Sequence, residues 1–373
     1  MLDIFTMKLL YIANSRLPTD NAHGVQIMKT CEAFADNGID VTLLHPWRIN
    51  RHAGDAFEVY RVKRNFGIIT LPSFNTLMFG RIGFWFQNVT FALTVALFAM
   101  FKRYDVVYSR DEFPLLLASF IVPRCVWESH TGRYNGSIQK LLTRVARVVV
   151  ITKGLKDYYV EKGIPEQKII VAPDSVSLED FATPQSKEES RKRLGLPLLK
   201  TIALYIGKLD SWKGAETFCA ASELLPDLLC VCIGGEPADI AQLKAKYPRA
   251  EFLGWRPYSE LADNQVAGDV LIIPNTARDE ISVKFTSPLK LFTYMASGVP
   301  IVASDLPSIR EVLDESMCSF FTPDDPKSLA ASISAVVSDT ETARQRAHVA
   351  QEEVQRYTWN ERARHIIKSL SSL

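Results

Sequence analysis

Short apolar runs alternate along this chain with longer stretches in which apolar positions recur every three or four residues. KLLYIAN, DVTLLHP, DVVYSR, CVWES and RVVVIT read as strands, each followed by a helix-like stretch such as GVQIMKTCEAFADNG, which ends at Gly38. That alternation implies βαβ units and a parallel sheet. The pattern then restarts. After the polar PQSKEESRKRLGLPLLK (184–200) come TIALYIG, LLCVCIGG, AEFLGW, DVLIIPN and PIVASD. Two Rossmann-like parallel sheets in tandem, joined near 165–200, are the architecture predicted. The stretch from about 340 reads as helical, and YTWNERARHIIKSL is expected to pack back on the first domain. Open α/β sheets bind ligands at the carboxyl ends of their strands, so two of them predict a site in an interdomain cleft.

One segment stands apart: FWFQNVTFALTVALFAMF, residues 84–101, is apolar but interrupted by Gln87, Asn88, Thr90 and Thr94. Its length is marginal for a bilayer span. A buried helix is the first expectation. A helix lying in a membrane interface, with Arg81, Lys102 and Arg103 at its ends, is the alternative, and a span fits least.

The length of 373 residues suits two domains, and 47% hydrophobic with 23% charged residues suits a soluble globular chain. The net charge of +1 hides an asymmetry. Residues up to 150 carry 17 Lys and Arg against 11 Asp and Glu, a balance of +6; the remainder carries 26 against 31, or −5. The basic half either meets an anionic partner, such as a lipid surface or phosphorylated acceptor, or reflects chance imbalance. Cysteines 31, 125, 219, 230, 232 and 318 show no metal-ligand spacing and read as core thiols in a reducing compartment. MLDIFTMKLLYIANS lacks a basic leader and a small-residue cleavage site, so a cytoplasmic location is expected.

Candidate chemistry sits in three places. In TSPLKLFTYMASGVP, Ser287 is a predicted N-cap, Pro288 suits the first helical position, and Gly298 ends the helix. The first-turn amides at Leu289 and Lys290, with the lysine's own charge, make either a phosphate site or ordinary surface capping. In YIGKLDSWKGAETF, Gly207 ends a strand, and Lys208 and Lys213 bracket a loop before a helix starting near Gly214. Two such lysines can neutralise a diphosphate, although loop lysines are common. In the first domain, NSRLPTDNAHGVQIM places Gly24 where backbone can approach a ligand, and YSRDEF and WESHTGR gather Arg110, Asp111, Glu128 and His130 at strand ends. Neither G-x-G-x-x-G nor G-x-x-x-x-G-K-[ST] occurs, which argues against nicotinamide, flavin and P-loop chemistry.

Together, MKLLYIANSRLPTDNAHGVQIMKTCEAFADNGIDVTLL, YIGKLDSWKG, FLGWRPYSELADNQVAGDVLIIP and SPLKLFTYMASGVPIVASDLPSIREVL resemble the family 4 glycosyltransferases of the GT-B fold. These are retaining enzymes with nucleotide-sugar donors, and the resemblance covers nearly the whole chain. It implies an acceptor domain over 1–170 with the helix of about 356–373 packed on it, a linker region over 171–198, and a donor domain over 199–355. It implies that Gly24 faces the donor diphosphate or acceptor. Lys208 stands in an arginine's place, and Lys213 is the diphosphate lysine. Thr286, Ser287, Pro288, Leu289 and Lys290 form the phosphate-holding turn. Trp255 and Arg256 frame the base, and His130 lies near the reacting sugar, with Glu128 and Arg110 beside it.

Two departures stand out. The family signature has two glutamates separated by seven residues, and here Phe285 and Thr293 occupy their places. Losing a charge-assisted ribose bond costs about 1–2 kcal/mol, or about tenfold in affinity. Asp279 or Glu280 is the available substitute for the first acid. The expected activity is transfer of a sugar from a nucleotide diphosphate to a hydroxyl, with no cofactor or metal because the lysines supply the charge; no D-x-D occurs. Expected partners are the donor, a glycan, lipid-linked or small-molecule acceptor, and the inner face of a membrane through the basic first domain, with no nucleic acid. A non-catalytic binding subunit is the competing class; an epimerase or hydrolase is a third.

Overall fold

The computed structural model describes residues 7–19, 21–49, 54–74, 76 and 79–370, so the last three positions of the expected C-terminal helix lie outside it. The chain forms two compact units: Met1–Pro173 with Trp359–Leu373, and Asp174–Thr358.

Unit 1 is built on seven parallel strands: β1 (Lys8–Ile12), β2 (Asp40–Pro46), β3 (Gly67–Leu71), β4 (Val106–Ser109), β5 (Cys125–Ser129), β6 (Arg147–Val150) and β7 (Ile169–Val171). Their order is β3-β2-β1-β4-β5-β6-β7. Register runs Leu9 beside Val41 on one side and Val106 on the other. Leu9, Leu10, Tyr11 and Ile12 are all buried, as strands covered on both faces require. The order reverses between β1 and β4, and the loops leaving that pair open the crevice where such sheets bind ligands.

Unit 2 repeats the plan with β8 (Ile202–Ile206), β9 (Leu229–Ile233), β10 (Glu251–Gly254), β11 (Val270–Ile273), β12 (Ile301–Ser304) and β13 (Ser319–Phe321). Their order, β10-β9-β8-β11-β12-β13, reverses between β8 and β11. Leu204 and Ile273 pack with Phe292 and Met295 on one face of the sheet, while Tyr205 and Ile272 pack with Phe218 and Leu329 on the other. All six cysteines are free and buried.

Every strand expected from the apolar runs is present. The unanticipated ones, β3, β7 and β13, lie at sheet edges, where three-residue length or partial exposure leaves little apolar signal. Two expectations change. The 84–101 segment forms the helix Gly80–Phe101, buried on one face only: Phe91, Ala92 and Val95 are inside, while Leu93, Leu97 and Met100 are more than half exposed.

The stretch expected as a linker is ordered within unit 2. Its helix Lys187–Leu194 opens on a reciprocal Ser186–Glu189 cap. Buried Arg191 fastens it through a 2.7 Å pair to Asp269 and a 2.9 Å bond to the Ala267 carbonyl. Asp269 keeps Lys187 and the Ile202 amide when Arg191 is removed, so the loss is that of the arginine's own charge-assisted bonds, about 2 kcal/mol. Arg191→Ala should lower the urea midpoint accordingly, with circular dichroism at 25 °C unchanged.

Candidate functional site

In unit 2, the sheet reversal places the loop after β8 against the helix Leu289–Ser297. Gly207 leaves β8 with φ +154°, and a Cβ there would sit 3.0 Å from Lys290 Nζ and 3.2 Å from the Tyr205 hydroxyl. A side chain there would crowd the lysine and strain the backbone, and glycine does neither. Lys290 Nζ lies 4.0 Å from the Tyr205 ring centre, buried and without a hydrogen-bond partner among the described residues. Burial, and then the neighbouring charge of Lys213, holds its pKa well below the usual lysine range. An unpaired buried ammonium costs several kcal/mol unless an anion arrives. Lys213 differs, because its ammonium is 3.1 Å from Asp210 and near the Trp212 ring. Burial lowers its pKa while Asp210 works against that shift. Lys208 is exposed, and its carbonyl accepts the Tyr205 hydroxyl at 2.6 Å. Lys290 therefore carries the buried ammonium of this cluster that has no hydrogen-bond partner among the described residues.

The Thr286–Lys290 turn is built differently from expectation. Pro288, not Ser287, occupies the N-cap of Leu289–Ser297, and no side chain caps that end. The Ser287 hydroxyl accepts the Asp174 amide at 3.0 Å, so it is engaged with the backbone instead of capping the helix. Thr286 and Ser287 are buried beside it. Thr293 is also buried; it accepts from Gln265 Nε2 at 2.9 Å and donates to the Lys290 carbonyl. Phe285 is a core side chain. Of the substitutes for the missing acid, Glu280 is exposed against Lys284, whereas Asp279 lines a cavity of about 410 Å³ with Trp212, Gly214 and Thr276. Asp279 caps Ile281 with one oxygen. Trp255 is half exposed and Arg256 bonds its carbonyl; both leave β10, two strands from β8.

In unit 1, the ends of β1, β4 and β5 line a cavity of about 300 Å³ that includes Asn14, Ser15, Arg110, Asp111, Glu128 and His130. Its organising group is Glu128. The carboxylate accepts from Tyr108, from Gln26 Nε2 at 3.0 Å and from His130 Nε2 at 2.5 Å, and pairs with Arg362 at 2.9 Å. Burial alone would raise its pKa, but Arg362, the His130 bond and Arg110 hold it well below the carboxylate range. A charged Glu128 fixes the imidazole with its proton on Nε2. Burial, and then the Arg110 charge, lowers the His130 pKa to about 4, so the ring is neutral at pH 7. Arg110 donates to Gln26 Oε1, which turns the Gln26 amine toward Glu128. Four of the predicted polar residues, Arg110, Asp111, Glu128 and His130, thus line one cavity.

Gly24 has a packing role. It lies in the first turn of the helix Ala22–Asp36, and a Cβ there would fall 2.3 Å from the Tyr60 hydroxyl and 2.7 Å from Thr19. Its smallness admits Tyr60, which bonds Thr19 through both backbone groups, rather than a ligand on that side.

Arg362, Gln26 and Tyr108 are functional neighbours that sequence reasoning missed. Arg362 lies 234 positions beyond Glu128 in the chain. The available signal was a buried acid in WES that needed a cation, and a returning helix rich in arginine.

The description "Glycosyltransferase Family 4" matches residues 23–180, and "Glycosyl transferases group 1" matches 200–339. D-inositol 3-phosphate glycosyltransferase of Corynebacterium urealyticum is 24% identical over 61% of this chain and 57% of its own. Putative teichuronic acid biosynthesis glycosyltransferase TuaC of Bacillus subtilis is 27% identical over 44% and 40%. The chain spans about half the length of the curated relatives it matches. HepE of Anabaena, solved with UDP and glucose, superposes with a TM-score of 0.78 at 17% identity, covering 98% of this chain and 100% of that one. Sucrose-phosphate synthase of Thermosynechococcus elongatus gives 0.80 at 18%, covering 98% of each.

Two outcomes follow from the electrostatics. Lys290→Met keeps the bulk but removes the unpaired charge, so it should stabilise the free protein by about 1–3 kcal/mol while abolishing the thermal shift given by pyrophosphate. For His130, the unfolded ring takes up its proton near pH 6.5 and the folded one only near 4. Stability should therefore fall as pH drops through that window, by up to about 3 kcal/mol from this residue. Asp111, raised by burial, acts in the opposite sense. The difference between wild type and His130→Gln in urea titrations isolates the histidine, and the variant should show the flatter profile.

Proposed function

Because the chain belongs to the family 4 glycosyltransferases of the GT-B fold, we propose that it transfers a sugar from a nucleotide diphosphate donor to a hydroxyl acceptor, with retention, in cell-surface polysaccharide or glycolipid assembly. The observation that carries the reading is Lys290: a buried ammonium with no hydrogen-bond partner among the described residues, beside a glycine whose missing Cβ leaves it room. A dianionic diphosphate supplies the missing charge.

The barrier is departure of the nucleotide diphosphate from the anomeric carbon. Lys290, joined by Lys208 and by Lys213 once the latter yields its Asp210 contact, stabilises the charge that grows on the leaving oxygen. This reading assigns no metal or other cofactor to that task. His130 is neutral with Nε2 committed to Glu128, so it offers the sugar Nδ1 and its carbonyl as acceptors. Glu128 is buried and ion-paired, which makes it a poor nucleophile. Same-face displacement therefore fits better than a covalent glycosyl intermediate. UDP is the first nucleotide to try, since the superposable HepE binds UDP and glucose.

Phe285 and Thr293 support a second reading, a binding subunit without transfer, because neither supplies a ribose carboxylate. Thermal unfolding with UDP, GDP, ADP and CDP, each with and without EDTA, separates the two at the binding step. A ligand at about 100 times its Kd adds about 2.7 kcal/mol. One nucleotide should stand out, unaffected by EDTA. With its sugar donor and a glycan or lipid-linked acceptor, Lys290→Ala and Lys213→Ala should each lower turnover about a hundredfold or more. Full turnover in both variants would refute the lysine cradle. Nucleotide binding without product in any acceptor mixture would favour the second reading.

A further inference from the structure

The helix Gly80–Phe101 is apolar on the side that faces its own protein and equally apolar on the side that does not. At about 100° per residue, Ile82, Trp85, Phe86, Leu93, Leu97 and Met100 fall within about 120° of one another. Each is at least half exposed. The opposite side, with Gln87, Phe91, Val95 and Ala99, is buried. A helix at a protein surface ordinarily turns charge outward. Here no charged residue occurs between Arg81 and Lys102. The exposed stripe is about 27 Å long at 1.5 Å per residue, and exposed Phe74 widens it through a ring contact with Phe86. Apolar surface on this scale marks an interaction site.

Charge selects the occupant. Arg81 at one end, and Lys102 and Arg103 at the other, are all exposed. From Val59 to Tyr104 the sequence contains six Lys and Arg and no Asp or Glu. Two copies of this chain joined along the stripe would set cation against cation in either direction. An anionic lipid surface instead meets the apolar face with acyl chains and the ends with phosphates. A bilayer span is opposed by the inner face: Gln87 meets the Arg48 guanidinium through its amide oxygen, and Asn88 accepts from Asn14. Those bonds tie the helix to the carboxyl ends of β1 and β2.

We propose that Gly80–Phe101 is a membrane-interfacial platform. Its outer stripe lies at the headgroup–acyl boundary of an anionic bilayer, gripped by Arg81, Lys102 and Arg103, and its Gln87 and Asn88 hold the Asn14–Arg48 edge of unit 1 at the lipid surface. That placement suits an acceptor that is itself lipid-linked. The platform does not rest on the transfer reading, because vesicle binding is measured without turnover.

The test uses the full chain and sedimentation with vesicles of phosphatidylcholine, alone or with phosphatidylglycerol added. The protein should pellet with the anionic vesicles in about 0.1 M salt and much less with the neutral ones. Brominated acyl chains should quench Trp85 relative to a Trp85→Phe control. Leu93→Glu with Leu97→Glu should abolish pelleting while leaving the thermal midpoint in place. Arg81→Ser, Lys102→Ser and Arg103→Ser together should weaken binding on the order of a hundredfold. The proposal is overturned by absence of pelleting with either vesicle, or by pelleting that survives the glutamates. It is equally overturned by retention through alkaline carbonate extraction, which marks a span, or by a dimer in solution that the glutamates dissolve.

Discussion

The pair between Glu128 and Arg362 is the constraint on which unit 1 depends. Both side chains are almost wholly buried, 2.9 Å apart. Neither could stay charged there alone, since an ion removed from water costs several kcal/mol unless its partner and further hydrogen bonds replace the solvent. Glu128 meets that condition with Tyr108, Gln26 and His130; Arg362 meets it with the Ala172 and Pro173 carbonyls. The chain must leave unit 1 at residue 173 and return at 359 to complete this set. The returning helix Trp359–Leu370 is thus part of the site's electrostatics as well as its packing.

The consequences spread from the carboxylate. Because it stays charged, His130 holds its proton on Nε2 and remains neutral, with Arg110 nearby disfavouring a second proton. Arg110 in turn orients Gln26. A lone histidine at a strand end becomes a defined acceptor because four elements converge on the residue two positions before it.

Unit 2 uses the opposite arrangement. The Lys290 ammonium is buried with no carboxylate bonded to it among the described residues, and the cost is borne by a core of Leu204, Phe292, Met295 and their neighbours that holds the helix in place. Tyr205 offsets part of that cost through its ring face. Asp210, an acid whose charge reaches Lys290, is engaged by Lys213. Satisfying a buried charge within the fold gives rigidity, whereas leaving one unsatisfied gives appetite for a ligand. The two candidate clusters divide along that line.

The sequence by itself determined the two parallel sheets, ten of their thirteen strands and the candidate polar positions, because buried strands need continuous apolar runs and ligand loops need polar residues at their ends. It did not reveal β3, β7 and β13, three of the four edge strands, whose shortness or partial exposure leaves little such run. Nor did it reveal that Ser287 serves the Asp174 amide or that Gly24 makes room for Tyr60, since those contacts join residues far apart in the chain. The helix Gly80–Phe101 shows the division most plainly. Its apolar character was legible in the residues, but its few polar positions point inward here, against the usual rule that polar residues face water. Only packing against the rest of unit 1, with Gln87 and Asn88 drawn to Arg48 and Asn14, decided which side stayed exposed.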